Sequence, residues 1–383
     1  MLNNPGDLPL GVGVIVTVPK PGKKPTVENR RPITLLNNLR KILSLVILER
    51  IRPAVEEYLG PSQSGFRRNR GTADAVWAHR FMISKAQKFY TRFHILGIDL
   101  SKAFDTVNRA KLLQTIKPLI DNDSYQMIER LMAGTTNMVR IEGELGSTFP
   151  STIGVPQGDA LSPILFVIYL QGALNELMEK LRTKHGLTQI YRIIYADDAD
   201  FIVEEFIDPN NESTTIHSKD LEIVEQEAAQ IFLRWNLKVN LSKTDRTTVD
   251  KSNVDWHTTK KLGSQLDCGT DIKTRKQKAE AAFNSLWRFW KKEYGLTVKT
   301  KVRLHNAFIK PVLLYNCATW APTRTQMKGI ESFNRRLLRR FLGVYFPNHI
   351  SCAEVYNQSG TVLYHWEPPF GNNAGTCLEK YCE

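Results

Sequence analysis

Cysteine is scarce, with five in 383 residues at Cys268, Cys317, Cys352, Cys377 and Cys382. An odd count at irregular spacing argues against a disulfide framework and for reduced thiols. Cys377 and Cys382 would open a zinc knuckle only with further His or Cys ligands, and none follows them. Long apolar runs are missing too. None reaches the roughly 20 residues of a membrane-spanning helix, and the stretch from Met1 to Gly13 lacks the basic start and long apolar middle of a signal peptide. The expectation is an intracellular protein, nuclear or cytoplasmic, with no membrane partner. No internal repeat or low-complexity tract is visible, which excludes solenoids and disordered tails as the main architecture. Acidic residues are nearly absent from one stretch: Lys273 to Tyr345 holds 17 Lys or Arg against 3 Asp or Glu, while the whole chain carries a net +13. The basic excess is therefore concentrated there, as a surface that tracks a polyanion requires.

What is present is ordinary globular material, 42% hydrophobic and 24% charged, in a length that suits two or three structural units. After a turn-rich opening around Pro19, Pro21, Gly22 and Pro25, the positions Leu35, Leu39, Ile42, Leu43, Val46, Ile47 and Arg50 form an apolar stripe of helical period that ends near Pro53. A second helix follows Thr72 through Ala75, Val76, His79 and Phe81 toward Lys88. The run Phe93 to Leu100 reads as a strand closing on Asp99, with the helix-forming segment Ser101 to Val107 behind it. Tyr191 to Tyr195 and Phe201 to Val203 are β-rich runs around an acidic tip, Ala196 to Asp200. The polar stretch Asp208 to Ser218 reads as a loop. Next comes an amphipathic helix with Leu221, Val224, Ala228, Ile231, Phe232 and Trp235 on one face. Met327 to Leu342 sets Ile330, Phe333, Leu337, Leu338 and Phe341 on one side and Arg335, Arg336, Arg339 and Arg340 on the other. Beyond Pro347 the periodicity fades and no element is expected.

Three carboxylates carry the chemistry. Asp99 ends one strand, and Asp197 and Asp198 tip a hairpin; pairing these strands would bring the three to one point. Adjacent like charges there are unfavourable without a cation. Phosphodiester synthesis uses two divalent ions about 3.5–4 Å apart to activate a 3′-hydroxyl and neutralise the leaving pyrophosphate, and such hard ions need oxygen ligands. An isolated Asp-Asp is more often a solvated turn; the apolar strand before it and Phe201-Ile202-Val203 after it reverse that preference.

Five runs, in order, carry a resemblance. Arg31-Pro32-Ile33-Thr34-Leu35-Leu36, Gln63-Ser64-Gly65-Phe66-Arg67, Gly97-Ile98-Asp99-Leu100-Ser101-Lys102-Ala103-Phe104-Asp105, Gly154-Val155-Pro156-Gln157-Gly158-Asp159 and Tyr195-Ala196-Asp197-Asp198 are together similar to the motifs of non-LTR retrotransposon reverse transcriptases. The resemblance, covering about Val14 to Leu342, implies an α+β right-hand polymerase: an antiparallel-sheet palm, discontinuous fingers and a helical thumb. It divides the chain into fingers at 1–91, palm at 92–107, a fingers-palm connection at 108–150, palm again at 151–272, a basic thumb at 273–345 and an irregular tail at 346–383.

Residue by residue, the resemblance implies that Asp99, Asp197 and Asp198, with the backbone carbonyl of Leu100, hold two Mg²⁺ (or Mn²⁺) ions. It places a steric gate against ribose at Phe104, nucleotide contacts at Arg31, Gln157 and Gly158, and a proton-donating lysine at Lys243 in Asn240-Leu241-Ser242-Lys243-Thr244. Lys261-Leu262-Gly263 resembles the primer grip. Arg67, Leu262, Gly263, Arg335, Arg336, Arg339 and Arg340 are the expected nucleic-acid contacts, and RNA template, DNA primer and deoxynucleoside triphosphates the expected partners; oligomeric state is left open. Viral RNA polymerases usually carry an Asp at the position of Phe104 and a Gly at that of Ala196, and a group II intron maturase would add splicing domains after the thumb. The chain begins inside the fingers of the family pattern, and Arg30 stands where the family usually has an aromatic. A truncated remnant that only binds nucleic acid is thus the alternative to an RNA-directed DNA polymerase.

Overall fold

The computed structural model describes residues 10–360 apart from 21, 23, 25, 90, 207–215, 253 and 292–293. The chain divides into two compact units, Met1–Asn253 and Val254–Glu383. The first unit contains, in order, β1 (Val12–Pro19), β2 (Arg30–Leu36), α1 (Asn38–Tyr58), α2 (Thr72–Lys88), β3 (Thr91–Ile98), β4 (Leu100–Ser101), α3 (Arg109–Ile116), α4 (Asn122–Met132) and β5 (Thr136–Ile141). Then follow β6 (Glu144–Leu145), β7 (Phe149–Pro150), α5 (Ser162–His185), β8 (Ile190–Tyr195), β9 (Asp198–Phe206), α6 (Ile216–Arg234), β10 (Lys238–Val239) and β11 (Asp245–Val249).

The central sheet has strand order β11-β3-β9-β8, antiparallel throughout, as expected for a palm. Alternation along β9 sends Ala199, Phe201 and Val203 into the core with Leu96, Ile98 and Ile194, where α5 and α6 cover them. The residues between them face α2: His79 Nε2 lies 3.0 Å from Asp200 Oδ2, and Lys85 Nζ lies 2.5 Å from Glu204 Oε1. Helix α5 is apolar nearly all round because it is the core, with Phe166, Tyr169, Leu170 and Leu174 fully buried. It starts with Pro in its first turn and ends at Gly186 with φ +68°. A second sheet, β2-β1-β5-β6, pairs β1 with β5 in parallel.

The second unit contains the hairpin β12 (Lys260–Lys261) and β13 (Ser264–Gln265), then α7 (Cys268–Ser285), α8 (Trp287–Trp290), α9 (Val298–Leu304), α10 (Lys310–Leu313), α11 (Arg324–Leu342) and α12 (Cys352–Ser359). Its own core stacks Trp290 between Phe283, at 4.9 Å, and Phe341, at 5.8 Å. The apolar face foreseen for α11, from Ile330 to Phe341, is the buried one, and the same holds for α6 from Leu221 to Phe232.

Four expectations fail. In α1, Leu39, Ile42 and Val46 of the expected stripe are 43–57% exposed; of that stripe Ile47 is fully buried, on a face shared with Arg40, Ser44, Ile51 and Val55. Arg40 is drawn inside by Asp159 at 3.0 Å, which turns the helix away from its most apolar side. The helix also runs through Pro53 to Tyr58, since Ile51 and Val55 are anchored in the core on either side of it, outweighing a cost of about 3 kcal/mol. The segment behind Asp99 is not a helix: β4 pairs with β10, and only Ala103–Thr106 makes a 3₁₀ turn. Helix α12 forms where no element was expected, on a Ser351 cap whose side chain accepts from Glu354 N. The loop read at Asp208 to Ser218 falls mostly outside the described residues, as do Cys377 and Cys382; Cys268, Cys317 and Cys352 are free thiols. Among the described residues no helix is long and apolar enough to cross a membrane.

Candidate active site

The β8-β9 hairpin turns on two residues, Ala196 and Asp197, because Tyr195 already pairs with Asp198. Ala196 takes φ +56°, a left-handed conformation that costs an L residue about 1–2 kcal/mol. Asp198 opens β9 exposed, and the neighbouring strand β3 delivers Asp99 immediately past its last residue. Asp99 Oδ2 accepts from Lys243 Nζ at 2.9 Å and Asn240 Nδ2 at 3.2 Å, and its carbonyl accepts from Asn240 N at 2.9 Å. The loop after β10 is thereby pinned to the end of β3.

Burial pushes the Asp197 carboxyl above the usual aspartate range, and the negative charge of Asp99 pushes it the same way; Lys243 and Arg31 pull it back. Asp99, Lys243 and Arg31, from three other segments, therefore each lie within electrostatic reach of Asp197. Among the described residues, no three His, Cys, Asp or Glu side chains are gathered at metal-ligand spacing. Asp99 takes the Lys243 ammonium instead. Leu100 is buried in β4, opposite Val239.

The 154–159 segment, where nucleotide contacts were expected, packs against the turn at 104–107. Gln157 Nε2 donates to Asp105 Oδ1 at 3.1 Å, and burial raises the Asp105 carboxyl. Val155 N donates to Phe104 O at 2.9 Å and Gly154 N to Val107 O at 2.8 Å, tying the segment to the turn that carries the gate position. Phe104 is half-buried, its ring stacked on Phe166 at 4.7 Å and edge-on to Phe66 at 6.2 Å. Gly158 has φ +132°, and a Cβ there would meet Thr34 O at 2.3 Å. The close approach that demands glycine is thus to β2 rather than to a nucleotide, and Thr34 N donates to Gln157 O at 2.6 Å beside it. A cavity of about 240 Å³ opens here, bordered by Thr34, Asp105, Arg109 and Gln157. Arg109, which nothing in the sequence singled out, fastens the segment by donating to the carbonyls of Gly154 and Met132 at 2.8 Å and of Ser151 at 2.6 Å.

Several residues expected at nucleic acid have other work. Arg67 is not presented outward: its guanidinium pairs with Glu56 at 2.7 Å and donates to Gly60 O at 2.8 Å, with 7% of the side chain exposed. The α11 arginines lean on the helices around them. Arg335 pairs with Glu331, Arg336 and Arg340 with Glu280, and Arg339 reaches Ile350 O; Arg340 also lies over the Phe283 ring at 4.7 Å. Leu262 and Gly263 form the tip of the β12-β13 hairpin with φ +47° and +83°. That tip is held from below, as Tyr315 donates to Leu262 O at 3.0 Å and the Arg275 guanidinium to Gly263 O. Asp271, fully buried, accepts from Gln265 N at 3.1 Å and Trp320 Nε1 at 3.0 Å.

Residues 18–301 match the family described as reverse transcriptase (RNA-dependent DNA polymerase). The chain is 26% identical over 357 residues to the RNA-directed DNA polymerase from mobile element jockey of Drosophila funebris, a match covering 86% of this chain and 37% of that protein. It is 30% identical over 191 residues to the retrovirus-related Pol polyprotein from type-1 retrotransposable element R2 of Popillia japonica, covering 47% of this chain and 26% of that one. The chain thus spans well under half the length of these relatives. Among solved structures, Candida albicans telomerase in complex with a fragment of telomeric RNA superposes with a TM-score of 0.51 at 11% identity, over 93% of this chain and 65% of that one.

Proposed function

Since the chain belongs to the reverse transcriptase (RNA-dependent DNA polymerase) family, and its relatives come from non-LTR elements, we propose that it extends a DNA primer along an RNA template, adding deoxynucleotides to the 3′ end. The observation that carries this reading is the placement of Asp99 and Asp197 at the ends of the paired strands of the central sheet, with the Lys243 ammonium on Asp99 and the charges of Lys243 and Arg31 both felt at Asp197. Two carboxylates whose charges oppose each other, in a donor set made only of hard oxygens, suit divalent ions such as Mg²⁺. Asp99, Asp197 and Asp198 would hold them, and bound ions would supply an activated 3′-hydroxyl and neutralise the charge of the leaving pyrophosphate.

The chain's own side chains do the rest. Arg31, exposed on β2, offers a guanidinium to the triphosphate. Lys243, whose side chain is 64% exposed, exchanges Asp99 for the β,γ-phosphates and gives a proton to the departing pyrophosphate. Phe104, clamped between Phe166 and Phe66, fills the space a ribose 2′-hydroxyl would need. Gln157 is held by Asp105 in one orientation toward the incoming nucleotide. The second unit takes the role of thumb, its basic helices meeting the template-primer backbone.

Primer extension on poly(rA)-oligo(dT) with Mg²⁺ tests the proposal. Extension with dTTP that disappears in Asp198→Ala is expected. A folded wild-type chain that binds primer-template yet extends nothing with Mg²⁺ or Mn²⁺ is the nucleic-acid-binding remnant instead.

A further inference from the structure

The turn that carries Asp197 is held from outside its own hairpin. Gln63, 1% exposed, lies 133 residues earlier in the loop after α1. Its side-chain oxygen accepts from Ala196 N at 3.0 Å and from Gly65 N at 2.8 Å. Around it the backbone runs alongside β8 as a parallel bridge, with Ile194 N donating to Ser62 O at 2.9 Å and Ser64 N to Ile194 O at 2.8 Å. The loop comes so close that a Cβ on Gly65 would meet Ala196 N at 2.3 Å. An amide inside a two-residue turn has no partner in the strand ladder, so a buried one needs an acceptor from elsewhere. Gln63 is that acceptor. A carboxylate in its place would set another negative charge beside Asp197, whose ionisation Asp99 already opposes; an amide oxygen accepts both N–H groups while adding no charge.

We propose that Gln63 is a positioning residue of the polymerase site: it fixes the Ala196–Asp197 turn, and through it the direction in which Asp197 and Asp198 present their oxygens. This rests on the polymerase reading above. The same loop ends in Phe66, whose ring meets Phe104 edge-on, so one segment touches both the acidic turn and the gate position.

The test uses the full chain and two readouts: Mn²⁺ binding by electron paramagnetic resonance without nucleotide, and steady-state extension with dTTP. Gln63→Met keeps the length of the side chain and removes the acceptor. It is expected to weaken Mn²⁺ binding by about tenfold or more, as loss of a residue supporting a ligand does, and to lower kcat more than it raises KM, with circular dichroism unchanged. Asp198→Ala is the control for the underlying reading. If wild type binds no Mn²⁺ that this control loses, the polymerase site itself is refuted. If the control loses Mn²⁺ while Gln63→Met matches wild type in binding and kcat, the role of Gln63 is overturned. Should Gln63→Met not fold, Gln63→Asn, polar but one methylene too short to reach Ala196, is measured in its place, and wild-type behaviour there overturns the proposal equally.

Discussion

At the scale of single residues, the side chains that matter most owe their state to neighbours far away in sequence. Phe104 taken alone is a core aromatic; the family resemblance makes it a candidate gate, and Phe166 fixes one face of its ring and Phe66 its edge. Phe104→Val is expected to raise incorporation of UTP relative to dTTP by about tenfold or more, the discrimination that a single steric contact provides; a ratio equal to wild type in the same extension assay would remove the gate role. His305 is the other telling case. It is 2% exposed in the second unit, and burial lowers its pKa to about 4 from 6.5. The folded state then resists protonation that the unfolded state accepts, so stability is complete above pH 6.5 and is lost as pH falls toward 4, by about 3 kcal/mol. Denaturant melts at pH 7 and 4.5 should show that loss in wild type and a smaller one in His305→Phe.

Elements show how far patterning reaches. The periodicity of α6 and α11 predicted their buried faces because, among the described residues, no buried polar contact there turns the apolar side outward; even Glu227 of α6 is paired on the side that the apolar residues bury. In α1 it did not, because Arg40 reaches Asp159, 119 residues away, and one buried ion pair outweighed a stripe of leucine, isoleucine and valine. The segment that Asp159 closes is equally dependent on contact. Gly158→Ala would put a methyl group 2.3 Å from Thr34 O at φ +132° and is expected to cost about 1–3 kcal/mol, visible as a lowered melting temperature. Between α5 and α6, Glu227 sits among Lys180, Lys184 and His185, which hold its pKa at about 2 against an ordinary 4.5. A depressed carboxylate stabilises the fold above its unfolded pKa, so this contribution is present above pH 4.5 and disappears as pH falls toward 2. Wild type and Glu227→Gln should accordingly differ in stability at pH 6 and converge in acid; a constant difference would mean that the ion pairs are not its source.

For the molecule as a whole, charge is the property that survives averaging. The excess of 17 basic over 3 acidic residues from Lys273 to Tyr345 is real, but the α11 arginines are largely tied to Glu280, Glu331 and Ile350. Exposed Lys273, Lys278, Arg288, Lys299 and Arg303 are better placed to meet phosphates. Primer-template affinity is therefore expected to fall by orders of magnitude between about 50 and 200 mM salt. Replacing Lys299 and Arg303 with Ala should reduce the logarithmic salt slope by about one per residue, and an unchanged slope would move the duplex to another surface.

The sequence by itself determined the family and the α+β class and singled out the candidate carboxylates, because those are written in short contiguous runs: a strand ending at Asp99 and a hairpin tipped by Asp197 and Asp198. Lys243 could be picked out in the same way, since its motif is local, but its ion pair with Asp99 could not. What it could not show are the partners separated by more than a hundred residues, such as Arg40 with Asp159, Gln63 with Ala196 and Asn240 with Asp99. Gln63 stood inside a recognisable motif and Arg40 inside an apolar stripe, yet neither type nor spacing says which distant amide or carboxylate a side chain will meet. Only the tertiary structure decides that, because a buried polar group must be satisfied by whatever the fold brings beside it.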